Sequence, residues 1–385
     1  MLFSYKRALK LEKRRGNRKK RIAHCRRNGE SIIKTSYLRR SSKEKAKLVK
    51  SSDKILKGSF LIKKNDINYN VGGVAALSFP NELDFNSATI DTGNFFKALL
   101  ENAFKLNIER LPSILYLNFS KLKRISPESA LILIALFSKL SIYSPNTQIR
   151  VKQDLKEMSS RAYSVLKQIG FWDYFKGNDF NAPKGEGSDK KIIRHKHHRC
   201  IDVRYIKDIL EEFNIDSIFG VSRRRYITRA ILEAMNNVLD HAYLDVFTKT
   251  SVRNKKFLYD HWWMCCYKNK NEKGFTFAIY DDGVGMPITL KKKGLESIFS
   301  TFSLLKDTDI IVRAFENGDR TRTEELARGN GLPTIIEPVN EFDSILTVLT
   351  NSNYCVFEKN KDPKTNILPN ELSQLGTLIS WRINA

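Results

Sequence analysis

Acidic residues are scarce at the start of the chain. Residues 1–50 hold only Glu12, Glu30 and Glu44 against 19 lysines and arginines, so this arm supplies +16 of a formal net charge of +25 over 385 residues. Such an arm is not built to bury a core; it is suited to hold a polyanion through released counterions. Aromatics are nearly absent there as well (Phe3, Tyr5 and Tyr37), which excludes a base-stacking platform and predicts salt-sensitive, sequence-independent contacts. Cysteines number five (Cys25, Cys200, Cys265, Cys266, Cys355), an odd count without framework spacing. That excludes a disulfide scaffold and fits thiols kept reduced in the cytoplasm. The longest apolar run, Ala130–Phe137, is far too short to cross a bilayer, and no apolar segment follows the basic N-terminus as in a signal peptide. A cytoplasmic protein is expected.

An apolar share of 41% leaves ample material for a core, and the length allows two domains and a tail. Residues 1–58 form the basic arm. Residues 68–180 alternate strand and helix patterns: Val74–Phe79, the amphipathic Thr92–Leu106, Ser113–Phe119, the very apolar Glu128–Leu140, Gln148–Val151 and Ser159–Ile169. Such alternation predicts a small α/β domain. A polar, turn-rich linker follows over 181–200. It carries His195, His197, His198 and Cys200, four ligand-type residues that no second cluster completes at a zinc spacing, so a basic linker is the reading adopted.

The chemistry is concentrated in residues 201–385. A helix over Arg223–Tyr243 places Glu233, Asn237, Asp240 and His241 on one polar face at 100° per residue. The amide oxygen of Asn237 can ligate Mg²⁺, and Glu233 can orient or deprotonate a nucleophile. Phe275, Phe277 and Ile279 alternate on a strand with one face buried, and Asp281 ends that face before the loop Asp282-Gly283-Val284-Gly285. A carboxylate there can accept a hydrogen bond from an exocyclic amine while the glycines let a flat ring approach. Downstream, Arg328-Gly329-Asn330-Gly331 leads into a helix with Pro333 in its first turn, so that backbone amides can cradle phosphate. Between the two glycine loops, a segment with Arg313, Arg320, Arg322 and Arg328 has the length and charge of a lid.

Glu233-Ala-Met-Asn-Asn237 through His241, Asp281-x-Gly-x-Gly285, Gly329-Asn-Gly-Leu332 and Gly376-Thr377 stand in the order of the GHKL ATPase superfamily, which includes gyrase-type and MutL-type ATPases and the histidine and anti-sigma kinases. Residues 201–385 resemble that family, and the Asn-x-x-x-His spacing is most similar to the anti-sigma kinases. The resemblance implies an α/β sandwich of Bergerat type with helices on one mixed sheet, and ATP with Mg²⁺ as cofactors. It also implies Asp281 as the adenine contact, helped by Thr377 through water; Gly283 and Gly285 beside the base; Arg328, Gly329, Asn330 and Gly331 at the phosphates; Asn237 as the metal ligand; and Glu233 as general base.

Residues 68–180 resemble the STAS domain of anti-sigma antagonists, on Leu115–Phe119, Ile125-Ser-Pro-Glu-Ser129, Ala130–Leu140 and Ile169–Phe175. That family can be phosphorylated at a serine near the helix start, here Ser126 or Ser129. Together the resemblances imply a regulatory Mg-dependent ATPase or Ser/Thr-type kinase fused to its own STAS-like unit. The other reading is an ATP-gated module that binds nucleic acid or protein without phosphotransfer. The expected partners are ATP, a protein at the STAS-like unit, nucleic acid at residues 1–58 and a second copy of the chain.

Overall fold

A computed structural model describes residues 61–64, 67–70, 74–104, 114–143, 148–151, 155–175, 183–185, 187, 190–198, 201, 203–243, 261–269, 274–293, 306–317, 331–368, 372 and 375–384. The basic arm lies outside them, as do the lid arginines Arg320, Arg322 and Arg328. The fold is α/β, as the alternating patterns predict.

The first unit contains a five-stranded sheet in the order β1 (Leu61–Lys64), β2 (Ile67–Asn70), β3 (Val74–Ser78), β5 (Ile114–Asn118), β7 (Gln148–Val151). β1, β2 and β3 pair antiparallel, whereas β3, β5 and β7 are parallel and are joined by helical crossovers. Short strands β4 (Glu82–Leu83) and β6 (Arg124–Ile125) pair beside them. The helices are α1 (Thr89–Phe104), α2 (Pro127–Tyr143) and α3 (Ser160–Ile169). Ser159 caps the start of α3 through the Arg161 N–H, and Gly170, at φ +90°, ends it. In α2, residues 130–136 have no more than traces of exposed surface on any side, so it is a central helix rather than an amphipathic one.

The second unit is a seven-stranded sheet in the order β13 (Lys364–Ile367), β12 (Asn353–Glu358), β11 (Ser344–Thr350), β14 (Thr377–Ile383), β10 (Phe275–Asp281), β9 (Trp262–Asn269), β8 (Lys190–His198). Every pairing is antiparallel, which corrects the expected mixed sheet: β9–β10, β11–β12 and β12–β13 are successive strands that fold back on each other, and β8 returns as β9 after the helices of residues 203–237. β8 also corrects the linker. Residues 190–198 form an edge strand, and their lysines and histidines suit an edge that must not recruit another strand. On one face lie α4 (Val203–Glu212), α5 (Ile215–Phe219), α6 (Val221–Asn237), α7 (Met286–Lys293), α8 (Asp307–Asn317) and α9 (Gly331–Glu341).

The opposite face of this sheet is covered by the first unit. Leu131 to Phe137 of α2 share one core with Trp263, Cys265, Ala278, Tyr280 and Leu378. All seven residues of β10 are therefore buried, not one face only. At the start of α2, Glu128 Oε1 accepts from the Tyr267 hydroxyl (2.6 Å) and the Ser380 hydroxyl (3.2 Å), one on each strand flanking β10. A carboxylate is favoured at a helix N-terminus, and Tyr267, deprived of water and facing that carboxylate, has its hydroxyl held well above the usual phenol range.

Candidate functional site

The cleft opens between α6, α7 and the start of α9 on the helical face of the sheet. Its walls border about 600 Å³ of space, open solvent included. Asn237, His241, Ile279, Asp281, Gly285 and Thr377 line it, with Met286, Thr289, Leu290 and Leu332 adding an apolar wall.

Asp281 sits at its inner end, where β10 leaves the sheet, directly opposite Thr377 in the β10–β14 register. It is 7% exposed, and burial pushes its carboxyl up to about 7; the Gly283 N–H, donating to Oδ1 at 2.9 Å, pulls the other way, and the neighbouring Asp282 raises it further. The turn around it depends on glycine. Gly376 has φ +78°, and a Cβ there would lie 2.1 Å from the Asp281 carbonyl oxygen. Gly285, at φ +86°, would collide with the Asn351 side chain. At Gly283 a Cβ would lie 2.7 Å from Asp281 Oδ1.

Thr377 Oγ1 and Thr350 Oγ1 are 3.1 Å apart, and Thr350 Oγ1 also accepts from the Met286 N–H (2.9 Å). Asn351 donates to the Val284 carbonyl (3.2 Å), and Tyr243 accepts from the Asp282 N–H while donating to the His261 carbonyl. The inner end is thus held by hydrogen bonds from three separate stretches.

At the other end, α6 carries Glu233 and Asn237 up to the first residue of α9. A Cβ on Gly331 would lie 2.5 Å from Glu233 Oε1 and 3.5 Å from Asn237 Oδ1, so both side chains reach the first residue of α9 and a larger residue there would displace the end of Glu233. Asn237 Nδ2 is buried without a hydrogen-bond partner among the described residues. Asn351 Oδ1, at the inner end, is likewise buried without a partner among the described residues, and polar atoms left so beside a cleft mark a place for a ligand. The amides at the start of α9 point into the same region, as helix geometry requires.

Neither a protein-family model nor a curated protein nor a solved structure matches the chain. Roles at the cleft therefore follow from its geometry and chemistry.

Of the residues expected at the site, Glu233, Asn237, Asp281, Gly283, Gly285, Gly331 and Thr377 converge on this cleft, from four stretches far apart in sequence. Arg328, Gly329 and Asn330 lie outside the described residues. The expected polar stripe of α6 changes after Asn237. There the helix widens into a π-helical turn, Val238–Ala242, which keeps His241 in the cleft and leaves Asp240 exposed. Such turns alter the phase of a helix, so a constant 100° step misplaces Asp240. Thr350, Asn351, Tyr243 and the Met286–Leu290 wall were not anticipated; the Asn351-Ser-Asn353 turn between two strands, with Asn351 at φ +54°, was the available signal for the first two.

His197 and His261 stack at 6.4 Å between ring centroids beside Trp263, at the sheet edge. Among the described residues no group of three or more His, Cys, Asp or Glu is arranged to hold a metal ion. None of the described helices is long and apolar enough to cross a membrane.

Proposed function

We propose that this cleft binds an adenine nucleotide with Mg²⁺, and that the protein is a nucleotide-dependent regulator of GHKL ATPase type. The observation that carries this reading is the convergence of a buried, strand-terminal carboxylate at one end of a single cleft with a Glu–Asn pair against a helix N-terminus at the other. A purine amine donated to Asp281 explains why a carboxylate is kept at a site that penalises its charge, and Thr377 supplies a hydroxyl beside it. The apolar wall of Met286, Leu290 and Leu332 offers the ring a surface to lie on.

Toward the phosphates, the amides opening α9 provide donors and a partial positive charge for an anion. Asn237 fits as a metal ligand through its amide oxygen, which lies beside Gly331 at the start of α9. Bound there, Mg²⁺ would neutralise phosphate charge. Glu233, one turn earlier, is placed to orient a water or hydroxyl nucleophile and take its proton.

Transfer to the STAS-like unit itself is disfavoured by burial. Ser126 is 5% and Ser129 0% exposed, beneath the seven-stranded sheet and bonded to one another at 3.1 Å. This favours the reading in which nucleotide gates the binding of a partner, or in which any phosphate acceptor lies on another molecule.

Calorimetry with ATP and Mg²⁺ tests the site, and γ-labelled ATP tests the outcome. Heat of binding is expected for the native chain and for Glu233→Ala, with turnover in that variant lower by about 10²-fold or more. Absence of any heat in the native protein would end the proposal, and label appearing on Ser126 or Ser129 would reverse the second reading.

A further inference from the structure

A second concavity lies on the same face, away from the cleft. It runs between α4 and the first half of α6, is shallow, and borders about 800 Å³ of space, open solvent included. Its floor is apolar: Ile206 and Leu210 are buried, while Val203 is 56% and Val221 70% exposed at its rim. Every charged residue lining it is a cation, namely Lys207, Arg224, Arg225 and Arg229. Three of these form ion pairs, with Glu211, Asp216 and Glu337 respectively; the first is exposed and the other two are each half-buried on one side, and surface pairs of this kind contribute little. Arg225 has no ion pair among the described residues, and it is exposed.

We infer that this groove receives an acidic amphipathic helix of a partner protein. The buried Ile206 and Leu210 between two exposed rim valines, Val203 and Val221, offer an apolar seam of the kind that takes a helix laid lengthwise, through residues spaced three and four apart. The arginine forks along the rim match carboxylates on the flanks of such a helix. A second copy of the chain is a poor occupant. The lining holds four cations and no acid, so two copies meeting through this face would oppose like charges. Nucleic acid would satisfy the cations without needing the apolar floor. The groove also has a route to the cleft, because Glu233 stands one turn beyond Arg229 on α6.

The test uses the full chain at about 0.3 M salt, where long-range attraction to the basic arm is screened. Fluorescence polarisation follows a labelled synthetic helix with leucines on one face and glutamates elsewhere, beside a lysine-substituted counterpart, a DNA duplex and phosphatidylserine vesicles. The acidic helix is expected to bind with a Kd on the order of micromolar. Val221→Asp and Arg225→Glu, both at exposed positions, should each weaken it at least tenfold, and the lysine counterpart should not bind. Absence of binding, unchanged affinity in both variants, or loss in those variants of duplex or vesicle binding instead, would overturn the assignment.

Discussion

The two faces of the seven-stranded sheet are built from the same strands and differ in kind. On the helical face, β10 and β14 present Ile279, Asp281, Thr377 and Ile379 to a cleft open to solvent. On the other, the intervening residues Ala278, Tyr280 and Leu378 enter a sealed core against α2. The polar groups follow the same division. Asp281, though buried, lines the inner end of the cleft, whereas Glu128, as deeply buried, is bonded to Tyr267 and Ser380 behind the sheet. One face turns a carboxyl toward a cleft, and the other uses a carboxyl to fasten two units together.

The largest effect should come from breaching the sealed face. Ala278→Glu places a carboxylate with no partner in the shared core, a cost of more than about 3 kcal/mol, and a thermal melt should show loss of the cooperative transition or a steep fall in midpoint. Next is the open face. Asp281→Asn keeps the shape but replaces a charged acceptor, and should lower ATP affinity by roughly 10- to 100-fold in calorimetry, about 1.5–3 kcal/mol, with the melt of the free protein unchanged or raised. A comparable loss of stability in both variants would dissolve the distinction between the faces.

A third effect is set by pH. The Asp281 carboxyl titrates near 7 in the folded chain against 3.8 ordinarily. The unfolded chain therefore loses this proton first, and this group's contribution to the stability of the free protein falls as pH rises from about 4 to 7. Ligand affinity should run the opposite way, because the ionised form is the better acceptor of an amine. Between pH 6 and 8 a rise of about tenfold is expected for adenosine, which has no group titrating in that interval, and a flat profile for Asp281→Asn. A flat profile in the native protein would show that the carboxylate is not the acceptor.

Much of the open face was legible. Asp281, Gly283 and Gly285 stand out in the sequence because a turn and a close approach demand glycine next to a particular carboxylate, and such demands are local. The sealed face was less so. Phe-Thr-Phe-Ala-Ile-Tyr reads as alternation on Phe275, Phe277 and Ile279, yet Ala278 and Tyr280 make it nearly continuous in apolar character, the pattern of a strand covered on both sides. Glu128 looked like an ordinary first-turn acid, since its two partners lie 139 and 252 residues away. β8 was hidden by its composition, which suits an edge strand and a polar linker equally. The turn of α6 after Asn237 departs from a constant helical phase for reasons that no periodicity reveals.

The smallest effect gives the finest comparison, because it is made on one strand. Thr377 and Ser380 both belong to β14, three residues apart, and alternation sends them to opposite faces. Ser380→Ala removes one of two hydrogen bonds to Glu128 and leaves the bond from Tyr267, so about 1 kcal/mol of stability should be lost with ATP affinity changed less than about twofold. Thr377→Ala removes the hydroxyl beside Asp281. Its partner Thr350 keeps the Met286 N–H, so the melt should move little while ATP affinity falls about three- to tenfold. Denaturant titration and calorimetry on the two variants then separate fastening from binding. If Ser380→Ala weakened ATP as much as Thr377→Ala, the first unit would be acting on the cleft through the sheet, and the back of the sheet would have to be counted as part of the site.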